Sequence, residues 1–279
     1  MKILFISLGC DKNLADSEEM LGLLTGNGHE IVDSEEEADA IVINTCCFIH
    51  DAKEESVNTI LEMAEYKKTG TCKILIVTGC MAQRYKEEIT GEIPEVDAVL
   101  GTTSYGDIVK ALNEAEAGHV FQEFKDINAL PEDSGRRVIT TGGHFGYLKI
   151  AEGCDKHCTY CIIPSLRGKF RSVPEERLLK QAEYMASQGV RELILVAQET
   201  TVYGTDLYGK KTLHILLKKL CQIKGIRWIR VLYCYPEEIY DELIQVMKEE
   251  KKICHYLDLP IQHASDRILK RMGRRTSKA

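Results

Sequence analysis

The sequence predicts an α/β protein with two successive parallel-sheet domains, and three observations carry that prediction. Short apolar runs rich in Val, Ile and Leu alternate with longer amphipathic stretches along most of the chain. Strands that alternate with helices form βαβ units with right-handed crossovers, and so a mainly parallel sheet. The alternation loosens once, between residues 118 and 143, where Pro131-Glu-Asp-Ser-Gly135 and Thr140-Thr-Gly-Gly143 read as turns. The charge balance changes sign at the same place: residues 1–118 hold 9 Lys and Arg against 23 Asp and Glu, and the remainder 27 against 20. The predicted organisation is a domain over 1–118, a connection over 119–143 and a second domain over 144–279.

Residues 2–8 open as a buried strand. Asp16-Ser17-Glu18-Glu19 supplies a cap and an acidic first turn for a helix that ends near Gly26 and Gly28. Strands follow at 30–33, 40–45, 73–79 and 96–101, with helices at 51–68, 83–90 and 105–116. The second domain repeats the rhythm with strands at 146–151, 192–197, 228–234 and 256–260. Helices at 174–187, 213–221, 236–250 and 265–271 complete four strand–helix units.

Of the 279 residues 44% are apolar and 28% charged, as in ordinary globular proteins. No stretch approaches the ~20 uninterrupted apolar residues of a membrane span. The N-terminus reads as a first strand and not as a signal peptide. Eleven cysteines without a secretion signal point to a reducing cytoplasm, and an odd count rules out a complete disulfide framework. The acidic first domain is a poor partner for nucleic-acid phosphates and suits a basic protein.

Cys154-Asp-Lys-His-Cys158-Thr-Tyr-Cys161 places three thiols at C-x3-C-x2-C, directly after an apolar run. Iron–sulfur clusters are ligated by thiolates from such short runs. Zinc needs a fourth ligand, which His157 could supply, and a disulfide cannot pair all three thiols. In the first domain Cys10, Cys46 and Cys80 each fall just beyond a predicted strand. The carboxyl ends of parallel strands share one edge, where ligands bind, so these three are expected to be neighbours. Cys72 belongs at the opposite edge, Cys47 is a spare thiol or alternate ligand, Cys221 and Cys254 read as core, and Cys234 is ambiguous.

C-x3-C-x2-C with the aromatic Tyr160 before its last Cys, after the first strand of an α/β unit, resembles the radical S-adenosylmethionine superfamily. The resemblance implies a [4Fe-4S] cluster on Cys154, Cys158 and Cys161. Its open iron would bind the amino and carboxylate groups of S-adenosyl-L-methionine, with Tyr160, Gln198 and Glu199 as cofactor-contacting residues. It also implies one-electron cleavage of the sulfonium to methionine and a 5′-deoxyadenosyl radical, chemistry that belongs to the cofactor.

Leu8-Gly-Cys10-Asp-Lys-Asn-Leu-Ala-Asp-Ser-Glu18, Asn44-Thr-Cys46 and Thr78-Gly-Cys80 resemble the N-terminal domain of the methylthiotransferase family. That implies a flavodoxin-like domain with a second [4Fe-4S] cluster on Cys10, Cys46 and Cys80, followed by a partial radical-SAM (β/α) barrel. Cys10-Asp-Lys-Asn13, Arg167-Gly-Lys-Phe-Arg-Ser172 and Tyr233-Cys-Tyr-Pro236 are more similar to one branch, which methylthiolates the β-carbon of an aspartate in small-subunit ribosomal protein S-twelve. The other branch modifies isopentenyl-adenosine in transfer RNA. Asp11 and Cys47 depart from the first branch, which often has Pro and Gly there; neither is an expected ligand. The implied partners are a ribosomal protein substrate and an electron donor such as flavodoxin, with nucleic acid only in the transfer-RNA alternative. Family barrels have six units and a C-terminal β-domain, so a C-terminally truncated chain is expected, an inactive cluster-binding fragment being the alternative to an enzyme. No residue is assigned a catalytic role.

Overall fold

In the computed structural model, which describes residues 1–132 and 135–278, the chain divides into two units, Met1–Val138 and Ile139–Ala279. The turn expected at 131–135 lies partly outside the described residues.

The first unit runs β1 (Lys2–Ser7), α1 (Asp11–Gly26), β2 (Glu30–Val32), β3 (Ala40–Thr45), α2 (His50–Thr69) and β4 (Ile74–Gly79). It continues with α3 (Cys80–Arg84), α4 (Lys86–Glu92), β5 (Ala98–Leu100), α5 (Ile108–Glu116) and β6 (Phe121–Glu123). The strands form one parallel sheet in the order β2-β1-β3-β4-β5-β6. Its first five strands have the flavodoxin-like order. β3 and β4 are buried at every position. Parallel strands covered on both faces are read in sequence as unbroken apolar runs, which is how these two appear. Val42, Ile76 and Leu100 of the sheet pack with Met20 and Leu24 of α1 and Leu112 of α5.

Helix α1 starts five residues earlier than the acidic cap suggests. Asp16, Ser17, Glu18 and Glu19 are buried inside it, because tertiary partners claim them. Glu18 pairs with Arg137 at 2.6 Å, and Glu19 accepts from the Tyr105 hydroxyl at 3.2 Å. The stretch expected to connect the domains adds β6 to this sheet and lays residues 136–138 across α1, with the Val138 N–H on Glu18 O at 3.0 Å. The helix expected at 83–90 is interrupted at Tyr85, whose φ of −122° and ψ of 34° separate α3 from α4.

The second unit runs β7 (Phe145–Lys149), β8 (Ala151–Glu152), α6 (Ile163–Arg167), β9 (Arg171–Ser172), α7 (Glu175–Ser187) and β10 (Glu192–Val196). Then come α8 (Thr205–Tyr208), α9 (Leu213–Cys221), β11 (Trp228–Val231), α10 (Asp241–Glu249), β12 (Ile253–Leu257) and α11 (Asp266–Arg271). β7, β10, β11 and β12 form a parallel sheet in that order. β8 and β9 pair antiparallel; two residues each leave no pattern to read in the sequence. β12 lies three residues upstream of the expected strand, so Cys254 sits half-buried on a strand and not in the core.

Candidate functional site

In the first unit Cys10 follows β1, Cys46 follows β3 and Cys80 follows β4, at the carboxyl ends of three neighbouring parallel strands. Strand order reverses between β1 and β3, and ligands of open parallel sheets bind at such a switch point, beyond the carboxyl ends. Gly9, at φ +93°, turns the chain out of β1 so closely to Cys46 that a Cβ there would lie 2.8 Å from the Cys46 Cβ. Cys10 then caps α1 with extended backbone. Ser56 of α2 pins Cys46, accepting from its N–H at 3.0 Å and donating to its carbonyl at 2.8 Å. Cys80 opens α3 after Gly79, whose φ is +94°.

One side chain ties the three turns together. The Asn13 amide donates to Leu8 O at 3.2 Å and Thr45 O at 2.9 Å, and its Oδ1 accepts from the Cys80 thiol at 3.8 Å. The sequence placed Asn13 in a motif without giving it this role. Cys47 is buried next to the group, its thiol on Cys80 O at 3.3 Å. Burial first, then Cys80, pushes that thiol up to about 12, which leaves it a neutral donor in the absence of a metal. Cys72 precedes β4, at the far end of that strand.

In the second unit the segment from β8 to α6 forms a loop around Cys154, Cys158 and Cys161. Gly153 has φ +69°, and a Cβ there would fall 2.1 Å from Lys169 O. The loop is fixed by Cys154 N–H to Gly168 O at 3.1 Å, Phe170 N–H to Asp155 Oδ1 at 3.0 Å and Thr159 N–H to Met272 O at 3.0 Å. Cys154 and Cys158 are buried, and Cys161 is partly exposed. Burial pushes the Cys154 thiol up to about 11, with Glu199, Cys161 and Cys158 adding to the rise. The Lys156 N–H, 3.4 Å from the Cys154 sulfur, opposes it.

A cavity of about 350 Å³ opens beside the loop, lined by Cys154, Cys158, Glu199, Tyr235 and Arg274 among others. Glu199 is buried just past β10. Its Oε1 accepts from the Thr201 hydroxyl, from Thr201 N–H at 3.2 Å and from Tyr235 N–H at 3.4 Å. Its Oε2 is buried with no hydrogen-bond partner. Gln198 Oε1 is likewise unpartnered, but the residue is not on the cavity wall. Tyr160 is half exposed and also off that wall.

Lys156 lines the cavity and pairs with Glu238. Arg167 is buried 3.6 Å from Glu152. Arg230 pairs with Glu192 at 2.7 Å and is not among the residues that line the cavity. Gln262 and His263 are exposed, and His263 accepts the Ser265 N–H at 2.9 Å. Arg274 and Tyr235 are cavity residues that sequence reasoning missed.

Among the described residues no three His, Cys, Asp or Glu side chains converge as the ligands of one metal ion do. A four-iron cluster spreads its thiolate ligands over separate corners, and the donors at both sites are thiols. The unpartnered Glu199 oxygen beside Cys154 suits a cationic ligand group. In donor chemistry the residues at both sites fit the thiolate ligation of iron–sulfur clusters.

A family model described as Uncharacterized protein family UPF0004 matches residues 2–101, and one described as Radical SAM superfamily matches residues 148–279. Over 277 residues the chain is 68% identical to the "Ribosomal protein uS12 methylthiotransferase RimO" of Lachnoclostridium phytofermentans, covering 99% of this chain and 63% of that protein. The protein of the same name from Clostridioides difficile is 53% identical over 278 residues, with 100% and 63% covered. The chain thus spans about 63% of the length of these relatives. Among solved structures, the radical S-adenosylmethionine methyltransferase TsrM from Kitasatospora setae matches with TM-score 0.65 at 11% identity, covering 99% of this chain and 63% of that one. The cobalamin-dependent radical enzyme OxsB matches with TM-score 0.61 at 15% identity, covering 99% and 46%. These two likenesses concern the fold.

Proposed function

Because the chain belongs to the radical S-adenosylmethionine methylthiotransferase family, we propose that it serves methylthio transfer to the β-carbon of an aspartate of ribosomal protein uS12. Two [4Fe-4S] clusters and S-adenosyl-L-methionine are the proposed cofactors. The observation that carries this is the second unit's cavity, whose lining includes Cys154, Cys158 and Glu199, the last with a buried oxygen that has no hydrogen-bond partner. Cys154, Cys158 and Cys161 would hold a cluster, which when bound would supply the electron for cleavage of the sulfonium.

The chain's own residues provide the setting. Three thiols would act as ligands and Glu199 would accept the amino group; Tyr235 and Phe170 also line the cavity. Cys10, Cys46 and Cys80 hold the second cluster at the switch point of the first sheet, with Asn13 fixing their spacing. The names of the relatives support the ribosomal protein over transfer RNA as substrate. The acid excess of residues 1–118 agrees, since ribosomal proteins are basic and phosphates are not attracted to carboxylates. An electron donor such as flavodoxin would deliver the electron, in a cytoplasm that keeps all eleven cysteines as free thiols. No helix among the described residues is long and apolar enough to cross a membrane.

The test is anaerobically reconstituted protein with reductant, S-adenosyl-L-methionine and uS12. Wild type is expected to form 5′-deoxyadenosine and methylthiolated uS12. Cys158→Ala should form neither, and Cys46→Ala should form deoxyadenosine alone. Deoxyadenosine from the Cys158 variant would contradict the ligand assignment.

A further inference from the structure

Each strand of the second unit's four-stranded sheet is preceded by a basic residue. His144, Arg191, Arg227 and Lys252 stand immediately before β7, β10, β11 and β12, and the first three are exposed. Backbone bonds set them side by side: Arg191 N–H donates to His144 O at 2.8 Å, Arg227 N–H to Arg191 O at 2.7 Å, and Ile229 N–H to Lys252 O at 2.8 Å. Neighbouring strands lie about 4.8 Å apart, so these residues cross the amino edge of the sheet at short, regular intervals. Lys224 and Lys251, in the adjoining turns, are exposed as well.

The charge of this row is of one sign and is not neutralised. Among the described residues none of its lysines and arginines pairs with a carboxylate, because the nearby acids are engaged elsewhere: Glu192 with Arg230 at 2.7 Å, Glu249 with Lys218 at 3.8 Å, and Glu250 against the Cys221 thiol. Backbone oxygens hold two of the cations instead, Arg191 Nη1 on Gly225 O at 3.4 Å and Lys252 Nζ on Ile223 O at 3.0 Å. Such bonds fix a side chain without cancelling its charge, and a prepositioned group loses less freedom on binding. At the opposite edge, beside the cavity, Lys156 and Lys211 are both matched by Glu238.

Trp228 stands in the same row, next to Arg227. It is the one Trp of the chain and is 54% exposed, whereas Ile229 and Val231 of the same strand are buried. An indole in water forgoes the burial that makes Trp stabilising. Beside a line of cations it offers a face on which an unpaired base can stack.

We propose that this amino edge binds single-stranded RNA, its cations meeting successive phosphates while Trp228 stacks on a base. An acidic protein would answer the charges and leave the indole unused; a single strand answers both. The contact goes beyond methylthio transfer, and with a ribosomal protein as substrate it would hold the RNA around that protein. It needs neither cluster nor cofactor, so its failure leaves the proposed reaction standing.

The test is fluorescence anisotropy of a labelled, unstructured RNA of about 12 nucleotides. It is titrated with the reconstituted chain in the absence of S-adenosyl-L-methionine and reductant. Log Kd is expected to rise with log salt by about 0.7 for each phosphate neutralised. Arg191→Gln combined with Arg227→Gln should lower that slope by about 1.4 and weaken binding about tenfold or more. Lys224→Gln combined with Lys251→Gln should act in the same direction, and it decides the matter should the arginine pair fail to fold. Trp228→Leu should weaken binding about fivefold or more at an unchanged slope. Lys86→Gln with Lys110→Gln, two exposed cations of the first unit, removes equal charge and should leave affinity and slope as in wild type. Absence of binding at low salt, or equal losses in the first-unit control, would overturn the proposal. So would duplex RNA, polyglutamate or phosphatidylglycerol vesicles binding as tightly as the single strand, since Trp228 would then have no partner.

Discussion

Glu199 joins strong local anchoring to an unmet charge. Burial lifts its carboxyl to about 7, while donation from Thr201, the charge of Lys156 and the Tyr235 N–H pull the other way. Its ordinary value is 4.5, so between there and 7 the folded chain holds a proton that the unfolded chain releases. Its contribution to stability is complete below the ordinary value and lost as pH rises through 7. An ammonium ligand needs the ionised form. Binding of S-adenosyl-L-methionine is therefore expected to strengthen as pH rises towards 7, by at most about tenfold per unit, and to level off above it. Calorimetric titrations on either side of pH 7 check this, and Glu199→Gln should flatten the profile; an unchanged slope in that variant would remove Glu199 from the site. Glu199 was named through the resemblance to the radical S-adenosylmethionine superfamily, two residues past a predicted strand. Arg274 was not, since Arg274-Arg-Thr-Ser-Lys reads as solvated charge and only the packing on Tyr235 buries it.

Both thiol sites are aimed by glycines at strand ends, and the loop after β8 is the tighter case. Gly153 combines a left-handed φ with backbone oxygens of Gly168 and Lys169 within 2.5 Å of any added Cβ. Gly153→Ala is expected to cost about 1–3 kcal/mol from backbone strain alone and to lower iron retention in the second unit. Gly91, inside α4 with open space around it, is the control: Ala there should be neutral or stabilising by up to about 1 kcal/mol. Thermal unfolding and iron content of the two variants decide the matter; equal behaviour would mean that the loop does not depend on that turn. The strands and helices that bury long apolar stripes were readable from the sequence alone. The start of α1, the break at Tyr85 and the pairing of β8 with β9 were not, because contacts between distant residues determine them: Glu18 with Arg137, Ala151 with Ser172.

Each unit brings its own sheet and its own thiol group, and the two differ in charge: residues 1–118 balance at −14 and the remainder at +7. Under the proposed function the labour would divide, with sulfonium cleavage assigned to the second unit and sulfur handling to the first. Every step of that division depends on the chain holding two clusters through two separate sets of thiols. The most direct measurement is iron and acid-labile sulfide per chain after anaerobic reconstitution. About eight irons are expected in wild type. Replacing Cys10, Cys46 and Cys80 together by Ala should leave about four, and so should replacing Cys154, Cys158 and Cys161. A colourless wild type, or a triple variant that keeps all its iron, would contradict the account.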